Sequence, residues 1–327
     1  MPGITYGMTD TTDTTDTEGN VTGTDRNVTG GAPAAAPPAR LGGLLDVLDR
    51  ADGLDPAARR LRAAGFGIFR PEKLRDALHG VWLGHPLHPA LAQLTLGSWT
   101  SAVLVDATRS GDRAATVLTA LGIATAAPTA AAGLADYSTL RDDQMRVGLV
   151  HALANWTALG LYSASLYARL TRRPGLGRAL AAAGFAVAGT GGMIGGHLAY
   201  RKGAGANHAD EVSHIVPGGW HPVGRRDELP DGTPVRRMVG ETPAFVLRSG
   251  ERIDAVADRC SHLAGPLHEG TVTGQGERAC VRCPWHGSVF RLADGSVVTG
   301  PATAPQPRFE TRTVEGIVEL RLPGADG

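Results

Sequence analysis

The chain has 327 residues, and its 32 basic and 32 acidic side chains cancel to a formal net charge of zero. This length allows two ordinary domains, and the balanced charge gives no reason to expect a nucleic-acid partner. All three cysteines lie within one short stretch, which favours metal ligation over a disulfide framework and indicates a reducing compartment.

The first 80 residues divide into two segments of different character. Residues 1–39 are mostly Thr, Asp, Gly, Ala and Pro, so they carry too little apolar surface to offset the entropy of ordering, and we expect them to be disordered. No basic stretch precedes a short apolar run, so we expect no cleaved secretory signal. In residues 40–80, apolar side chains recur with helical spacing among Arg and Lys. This pattern predicts amphipathic juxtamembrane helices on a membrane surface, with ordinary surface helices as the alternative.

The part of the chain from 81 to 202 contains four segments without any Asp, Glu, Lys or Arg. These segments are 89–105, 114–135, 147–168 and 179–200. Each can form a helix about 30 Å long, which matches the hydrocarbon core of a bilayer. A soluble four-helix bundle is the alternative, but it would show charges along the outer face of every helix. The pattern therefore predicts an N-terminal four-helix transmembrane bundle.

Three histidines lie in or next to these apolar segments, namely His88, His151 and His197. Successive crossings alternate in direction, so all three belong to one end of the bundle, and the even number of crossings brings the C-terminal domain out at that end. An ionisable side chain within a membrane is a functional candidate by default. The three histidines therefore predict a site for haem b or a metal ion. The alternative is that they hydrogen-bond to Asn155, Asp136 or the backbone.

Beyond a polar, Gly-containing linker at 203–218, the sequence has the character of an antiparallel β domain that spans 219–327. Short β-rich runs flank the turn pairs Ser249-Gly250, Asp294-Gly295 and Glu315-Gly316, which predict hairpins. No self-repeat of fixed period is apparent along the chain.

Two short motifs within this β domain combine sulfur and nitrogen ligands. Cys260-Ser-His262 is followed, after twenty residues, by Cys283-Pro-Trp-His286. A zinc finger keeps its cysteines together and its histidines together, whereas each of these loops offers one thiolate and one imidazole. A two-iron cluster with both cysteines on one iron and both histidines on the other requires this arrangement. A zinc site made of Cys260, Cys280, Cys283 and one histidine is the alternative.

The motifs Cys-Ser-His-Leu-Ala-Gly-Pro-Leu-His-Glu-Gly and Cys-Pro-Trp-His-Gly-Ser resemble the cluster loops of Rieske ferredoxins. The resemblance implies an all-β antiparallel sandwich with a [2Fe-2S] cluster at one tip and two histidines at its exposed edge. The implied ligands are Cys260, His262, Cys283 and His286. The residues implied to surround the cluster are Gly265, Pro284, Trp285, Gly287 and Ser288.

The departures from the family pattern bear on the redox potential. High-potential Rieske proteins carry an extra cysteine where this chain has Gly265 and Trp285, and a tyrosine hydroxyl where it has Phe290. Ser288 matches a serine that hydrogen-bonds a sulfide in those proteins. Fewer hydrogen bonds to sulfur stabilise the reduced form less, so we expect a potential toward the lower end of the Rieske range.

The helical part has a resemblance of its own. The sequences His85-Pro-Leu-His88-Pro and Gly195-Gly196-His197, with Asn155 four residues after His151, resemble a bacterial four-helix membrane domain family of undefined function. This resemblance adds no chemistry.

These features predict a membrane-tethered carrier that passes single electrons between a soluble donor and a membrane cofactor, a quinone or a partner oxygenase. The expected partners are the lipid bilayer and redox proteins or quinone. The basic residues between Arg59 and Arg75 favour a multi-pass protein of a bacterial plasma membrane with the Rieske domain in the cytoplasm. A redox or iron sensor is the alternative. A complete oxygenase is disfavoured, because the segment from His208 to His214 has iron-ligand residue types but offers no enclosing pocket.

Overall fold

A computed structural model of the chain describes Leu45 and residues 47–108 and 111–324. The segment 1–39, which we expect to be disordered, lies outside the described residues. Two short helices come first, α1 (Asp55–Ile68) and α2 (Glu72–His79), followed by a 3-10 turn at Val81–Leu83. Gly80 ends α2 with φ = +80°, a conformation that glycine adopts without a steric penalty.

Four long helices follow: α3 (Leu87–Ala107), α4 (Asp112–Tyr137), α5 (Asp142–Leu170) and α6 (Pro174–Gly196). Helix α6 continues as a π-helical turn, His197–Arg201. Each helix contains one of the four charge-free segments, with the last segment ending in the π turn. The positions predicted for the four segments therefore match the helices of the structure.

Only α4 (Asp112–Tyr137) and the span Pro174–Arg201 among the described helices are long and apolar enough, by length and composition, to cross a membrane. The prediction of four crossings is thus supported for two helices. The physical reason is polarity rather than length. Helix α3 carries Gln93, Thr95 and Ser98, and α5 begins with two aspartates and contains Asn155, so their mean hydropathy is lower.

The helices form two hairpins, α3–α4 and α5–α6, and corresponding positions of the two hairpins make corresponding contacts. The Trp99 and Tyr162 rings stack on each other with centroids 4.2 Å apart. Gly122 on α4 faces the Trp99 ring, and Gly184 on α6 faces the Tyr162 ring. The two aromatic residues are 63 positions apart in the chain and the two glycines 62. No repeat of fixed period is apparent in the sequence, because few of the equivalent positions carry the same residue and the spacing differs by one between the two helices of each hairpin.

The hairpins are also joined by a buried ion pair between Asp106 and Arg169, which are again 63 positions apart. The Nη1 of Arg169 donates to Oδ1 of Asp106 at 2.9 Å, and a second bond runs from Nη2 to Oδ2. Two parallel bonds of this kind fix the orientation of the guanidinium plane relative to the carboxylate plane. It lies at the end of the bundle farthest from the β domain.

The β domain consists of two antiparallel sheets. The six-stranded sheet has the order β1-β10-β9-β4-β3-β2 and the four-stranded sheet β5-β6-β7-β8. The strands are β1 (His221–Arg225), β2 (Val235–Val239), β3 (Thr242–Ser249), β4 (Arg252–Ala257), β5 (Thr271–Thr273), β6 (Cys280–Arg282), β7 (Val289–Arg291), β8 (Val297–Thr299), β9 (Arg308–Val314) and β10 (Ile317–Arg321). The hairpins β3–β4, β7–β8 and β9–β10 enclose the three turn pairs read from the sequence.

Residues 203–218, which the sequence suggests are a polar linker, are instead packed against the β domain. They include a single helical turn, α7 (Val212–Ile215). Val212 and Val216 are buried in the apolar core beside Phe309. The backbone N–H of His208 donates to the carbonyl of Ser261 at 2.9 Å. Because its apolar residues are buried in the core of the β domain, this segment restricts the motion of the β domain relative to the helices.

We expect Asp106→Ala to destabilise the helical domain by about 3–5 kcal/mol, because it leaves the Arg169 guanidinium buried and unpaired. Thermal unfolding of the full chain in detergent, followed by far-UV circular dichroism, measures the loss. Asp112→Ala removes half of the more exposed pair with Arg178 and should cost at most about 1 kcal/mol. Equal losses in the two variants would contradict the role given to the buried pair.

Candidate metal centre

Two loops at one end of the β domain hold the four predicted ligands. In the first loop, the N–H of Cys260 donates to the carbonyl of Gly265 at 2.9 Å. In the second, the N–H of Cys283 donates to the carbonyl of Ser288 at 2.8 Å. Gly287 has φ = +79°, so this turn requires glycine. The two loops are thus closed by their own backbone hydrogen bonds.

A buried amide that sequence reasoning missed braces the first loop. The Nε2 of Gln306 donates to the carbonyls of Ala257 and Arg259, and its Oε1 accepts from the N–H of Ser261. Its side chain is buried, so each of these bonds is made away from water. Asp258 adds a second brace, because its carboxylate accepts from both the N–H and the Nδ1 of His268.

The loops bring the four ligands together. The Cys260 and Cys283 thiols share a hydrogen bond, which raises the pKa of Cys260 and lowers that of Cys283 to about 7. The rings of His262 and His286 have centroids 5.0 Å apart and are nearly perpendicular. A Cβ atom at position 265 would lie 2.9 Å from the Cys283 sulfur, so Gly265 is required for the close approach of the two loops.

The proton on His262 can be assigned from its neighbours. The hydroxyl of Thr139 donates to the carbonyl of Asp136 at 2.9 Å, so its oxygen remains as an acceptor. The Nε2 of His262 lies 3.3 Å from that oxygen and therefore carries the proton. Its Nδ1 is then unprotonated, and it is buried without a hydrogen-bond partner among the described residues. A buried lone pair of this kind is what a metal ligand presents.

Electrostatics keep this ring neutral. Burial, followed by the like charges of His286, His79 and His208, lowers the pKa of His262 to about 3. Burial also lowers the pKa of His286. Neutral imidazoles beside a readily formed thiolate have the donor chemistry of a two-iron cluster. The residues present therefore fit a [2Fe-2S] cluster.

The zinc alternative does not fit the strand that carries Cys280. Cys280 and Val281 are neighbours on β6, so their side chains point to opposite faces. Val281 is buried in the apolar cluster that includes Cys260 and Cys283, whereas the Cys280 sulfur bonds the carbonyl of Arg278. Cys280 thus points away from the other two cysteines.

The residues around the loops agree in part with the resemblance. The Ser288 oxygen accepts from the N–H of Ala302 at 2.9 Å, which leaves its own proton uncommitted by that bond. Phe290 is buried and offers no hydroxyl. Trp285 is 52% exposed, and Pro284 beside it is also exposed.

The histidine edge differs from the exposed edge that the resemblance implies, because the helical part of the chain covers it. Besides the Thr139 contact, the N–H of Gly300 donates to the Asp76 carboxylate at 2.9 Å. A Cβ atom at Gly300 would lie 2.9 Å from Val81. Within the helical part, the buried His79 ring bonds the Asp136 carboxylate at 2.8 Å, and a Cβ atom at Gly300 would lie 3.7 Å from its Cδ2. No local sequence signal marks Asp76 or Thr139, because each acquires its role only through a distant segment.

The structure treats the three membrane histidines differently. His88 and His151 face each other with ring centroids 6.1 Å apart. His197 lies in the π turn, and its Nε2 is buried without a hydrogen-bond partner in the part of the chain that the structure describes. The predicted site thus retains two of its three histidines in mutual contact.

Comparison with known proteins gives two family matches. A Rieske [2Fe-2S] domain model matches residues 219–310, and the model of a predicted membrane protein family, DUF2231, matches residues 84–208. The ferredoxin subunit of anthranilate 1,2-dioxygenase from Burkholderia cepacia is 36% identical over 103 residues, which cover 32% of this chain and 92% of that protein. Ferredoxin CarAc from Metapseudomonas resinovorans is 35% identical over 101 residues, covering 30% and 90%.

A solved structure is also similar to part of the chain. It is a chain of the complex of reduced oxygenase and oxidised ferredoxin in carbazole 1,9a-dioxygenase, at 33% identity, covering 31% of this chain and 92% of that chain with a TM-score of 0.28.

We expect Cys283→Ser to abolish cluster binding and Cys280→Ser to preserve it, because only Cys283 lies beside Cys260. Analysis of non-haem iron should give about two iron atoms per chain in wild type and in Cys280→Ser. Paramagnetic resonance of the reduced protein should show the cluster in the same two samples. Loss of iron from Cys280→Ser would favour the zinc-like arrangement instead.

We expect the cluster midpoint to lie below about +100 mV, within a Rieske range of about −150 to +300 mV, since Phe290 offers no hydroxyl to sulfur. Ser288→Ala should lower it further, while the control Ser296→Ala in the β7–β8 turn should not change it. Redox titration of the full chain, with iron content measured in parallel, provides the test. A midpoint well above +100 mV would contradict the argument.

Proposed function

The chain belongs to the Rieske [2Fe-2S] family, and from this premise we propose that it is a membrane-tethered electron-transfer protein. In this proposal it passes single electrons between a soluble donor and a membrane cofactor, a quinone or a partner oxygenase. When bound, the cluster supplies a one-electron couple. The family match and the ferredoxin relatives support the electron-transfer part.

The observation that carries the proposal is the contact of His262 with Thr139. The His262 ring offers Nδ1 to the metal centre and Nε2–H to the turn between α4 and α5, so it lies between the cluster loops and the helical domain. Asp76 on α2 holds the same interface through its bond with the N–H of Gly300, and the His79 ring lies beside that glycine. These residues make a short, partly buried connection between the cluster loops and the helical domain, which suits electron exchange between two parts of one chain.

The covered edge also bears on the choice of acceptor. A partner oxygenase would have to approach the cluster from another side, past the exposed Trp285, or displace the helices from His262. We therefore favour an acceptor in or beside the helical domain, either a cofactor held by the membrane histidines or a quinone. A soluble reductase can use the exposed side at Trp285 as the donor surface.

We further propose that the protein is a multi-pass protein of a bacterial plasma membrane with the Rieske domain in the cytoplasm. The DUF2231 match and the apolar helices α4 and α6 support membrane attachment. Phe66, Ile68 and Trp82 are exposed large apolar side chains on and after α1, so they suit the interfacial region beside the bundle. Basic residues on α1 and α2 favour the cytoplasmic side.

A redox or iron sensor is the second candidate, since the same interface would transmit the state of the cluster to a membrane partner. The two functions differ in turnover. A carrier is reduced and reoxidised repeatedly, whereas a sensor changes state without net flux.

The test uses the full chain in lipid nanodiscs, reduced stoichiometrically and mixed with a soluble quinone analogue, with cluster reoxidation followed by stopped-flow absorbance. Thr139→Val keeps the shape of the side chain but removes the acceptor of His262, which costs about 1–3 kcal/mol at the interface. We expect reoxidation to slow by roughly tenfold.

Thr116→Val is the matched control, because it alters a threonine on α4 that bonds only a carbonyl of its own helix. It should leave the rate unchanged. Reduction by an external ferredoxin reductase should be equal in all three proteins if the donor uses the Trp285 side. A wild-type cluster that stays reduced with every quinone tried would favour the sensor.

A further inference from the structure

We propose that the helical domain binds one b-type haem between its two hairpins, with His88 and His151 as the axial ligands of the iron. The role of this haem as redox partner of the cluster rests on the proposed function, whereas its binding does not.

The spacing of the two rings matches that of ligands on opposite sides of one metal. Their centroids are 6.1 Å apart and the ring planes are nearly perpendicular, at 81°. Two imidazoles that each bind a metal at about 2 Å from opposite sides have centroids about 6 Å apart. The rings come from α3 and α5, one from each hairpin.

The protons on both rings are placed for ligation through Nε2. The Nδ1 of His88 lies 2.9 Å from the carbonyl of Thr129, and the Nδ1 of His151 lies 2.8 Å from the carbonyl of Gly191. A carbonyl can only accept, so each Nδ1 carries the proton and each Nε2 keeps its lone pair. An Nδ1–H bonded to a backbone carbonyl is the usual way in which proteins orient a metal-binding imidazole.

The amide of Asn155 does not occupy the lone pair of His151. Its Nδ2 lies 3.2 Å from Nε2 and 3.4 Å from Nδ1 of that ring. The two nitrogens flank Cε1, and an atom in the ring plane at these distances from both would clash with that carbon, so the amide lies over the face of the ring and not along the lone-pair direction. The same Nδ2 donates one of its two protons to the carbonyl of residue 151 at 2.8 Å.

A glycine on the neighbouring helix allows each histidine ring to pack closely against the backbone. A Cβ atom at Gly133 would lie 2.8 Å from Nδ1 of His88, and one at Gly195 would lie 2.9 Å from Cε1 of His151. The two glycines lie one helical turn beyond the carbonyls that anchor the rings. Both rings retain partial solvent exposure in spite of their position between the hairpins.

The histidine layer separates two apolar clusters. One cluster contains Trp99 and Tyr162, and the other contains Tyr137 and Met145. The helix positions beside these rings carry mainly alanine, glycine and threonine, as at residues 129–133 and 189–192. A layer of small residues between two packed layers suits a flat macrocycle.

The equivalence of the hairpins extends to this layer. His88 and His151 are 63 positions apart, as Trp99 and Tyr162 are, and Gly133 and Gly195 are 62 apart. Each hairpin thus offers one histidine from its first helix and one carbonyl and one glycine from its second. His197 has no counterpart in this pattern, so we assign it no ligand role.

The test is the absorption spectrum of the full chain, purified in detergent from cells supplied with a haem precursor and also titrated with hemin. We expect about one haem per chain, with the low-spin ferric resonance of two axial imidazoles. His88→Ala and His151→Ala should each abolish that low-spin signal, and Gly133→Val and Gly195→Val should reduce haem content several-fold.

Two controls separate ligation from general damage. His197→Ala and Gly192→Val, whose added side chain meets no atom within 4 Å, should keep the wild-type spectrum. The cluster resonance reports folding in every variant, so a lost haem signal with an intact cluster is specific. Absence of a haem spectrum after hemin titration, with the cluster intact, would overturn the proposal, as would an unchanged low-spin signal in His88→Ala. Neither result depends on quinone-linked turnover, so failure here is distinguishable from failure of the proposed function.

Discussion

The hydrogen bond from His262 to Thr139 is the contact on which the rest of the structure depends. It assigns the imidazole proton to Nε2, which leaves Nδ1 free and buried among the cluster loops. It also joins a loop of the β domain to the turn between α4 and α5. One side chain therefore takes part in both the metal centre and the packing of the two parts, and a change in either affects the other.

The covering of the histidine edge changes what the β domain can do. An exposed edge allows a diffusing carrier to dock with several partners, whereas here Asp76, His79 and Thr139 occupy that surface. The connecting segment reinforces this arrangement, since Val212 and Val216 enter the β core and shorten the free length of chain. A separate protein could therefore reach this edge only by displacing the helical part.

Sequence reasoning succeeded where the information was local. Cys260 and His262, or Cys283 and His286, lie on single loops, so their spacing alone predicted the chemistry, and the family match confirms the Rieske domain. The interface residues were not predictable in this way, because Thr139 and His262 are 123 positions apart and neither is unusual in its own segment. Four membrane crossings were expected because four segments lack charged residues. Gln93, Ser98 and Asn155 nevertheless lower the mean hydropathy of α3 and α5. The absence of charge is therefore weaker evidence for a membrane span than mean hydropathy is.

The two histidine sites use opposite ring nitrogens for the same physical reason. A neutral imidazole has one nitrogen that donates and one that accepts. When its N–H hydrogen-bonds a neighbouring protein group and so fixes the ring, the other nitrogen remains available to a metal. At His262 the bond that fixes the ring runs from Nε2 to the Thr139 hydroxyl, and Nδ1 lies buried among the cluster loops. At His88 and His151 the fixing bond runs from Nδ1 to a carbonyl of the neighbouring helix, that of Thr129 or Gly191, so Nε2 is the nitrogen available to a metal. The Thr129 carbonyl and Thr139 are ten residues apart, so α4 and the turn after it position both sites, and a displacement there would be felt at each.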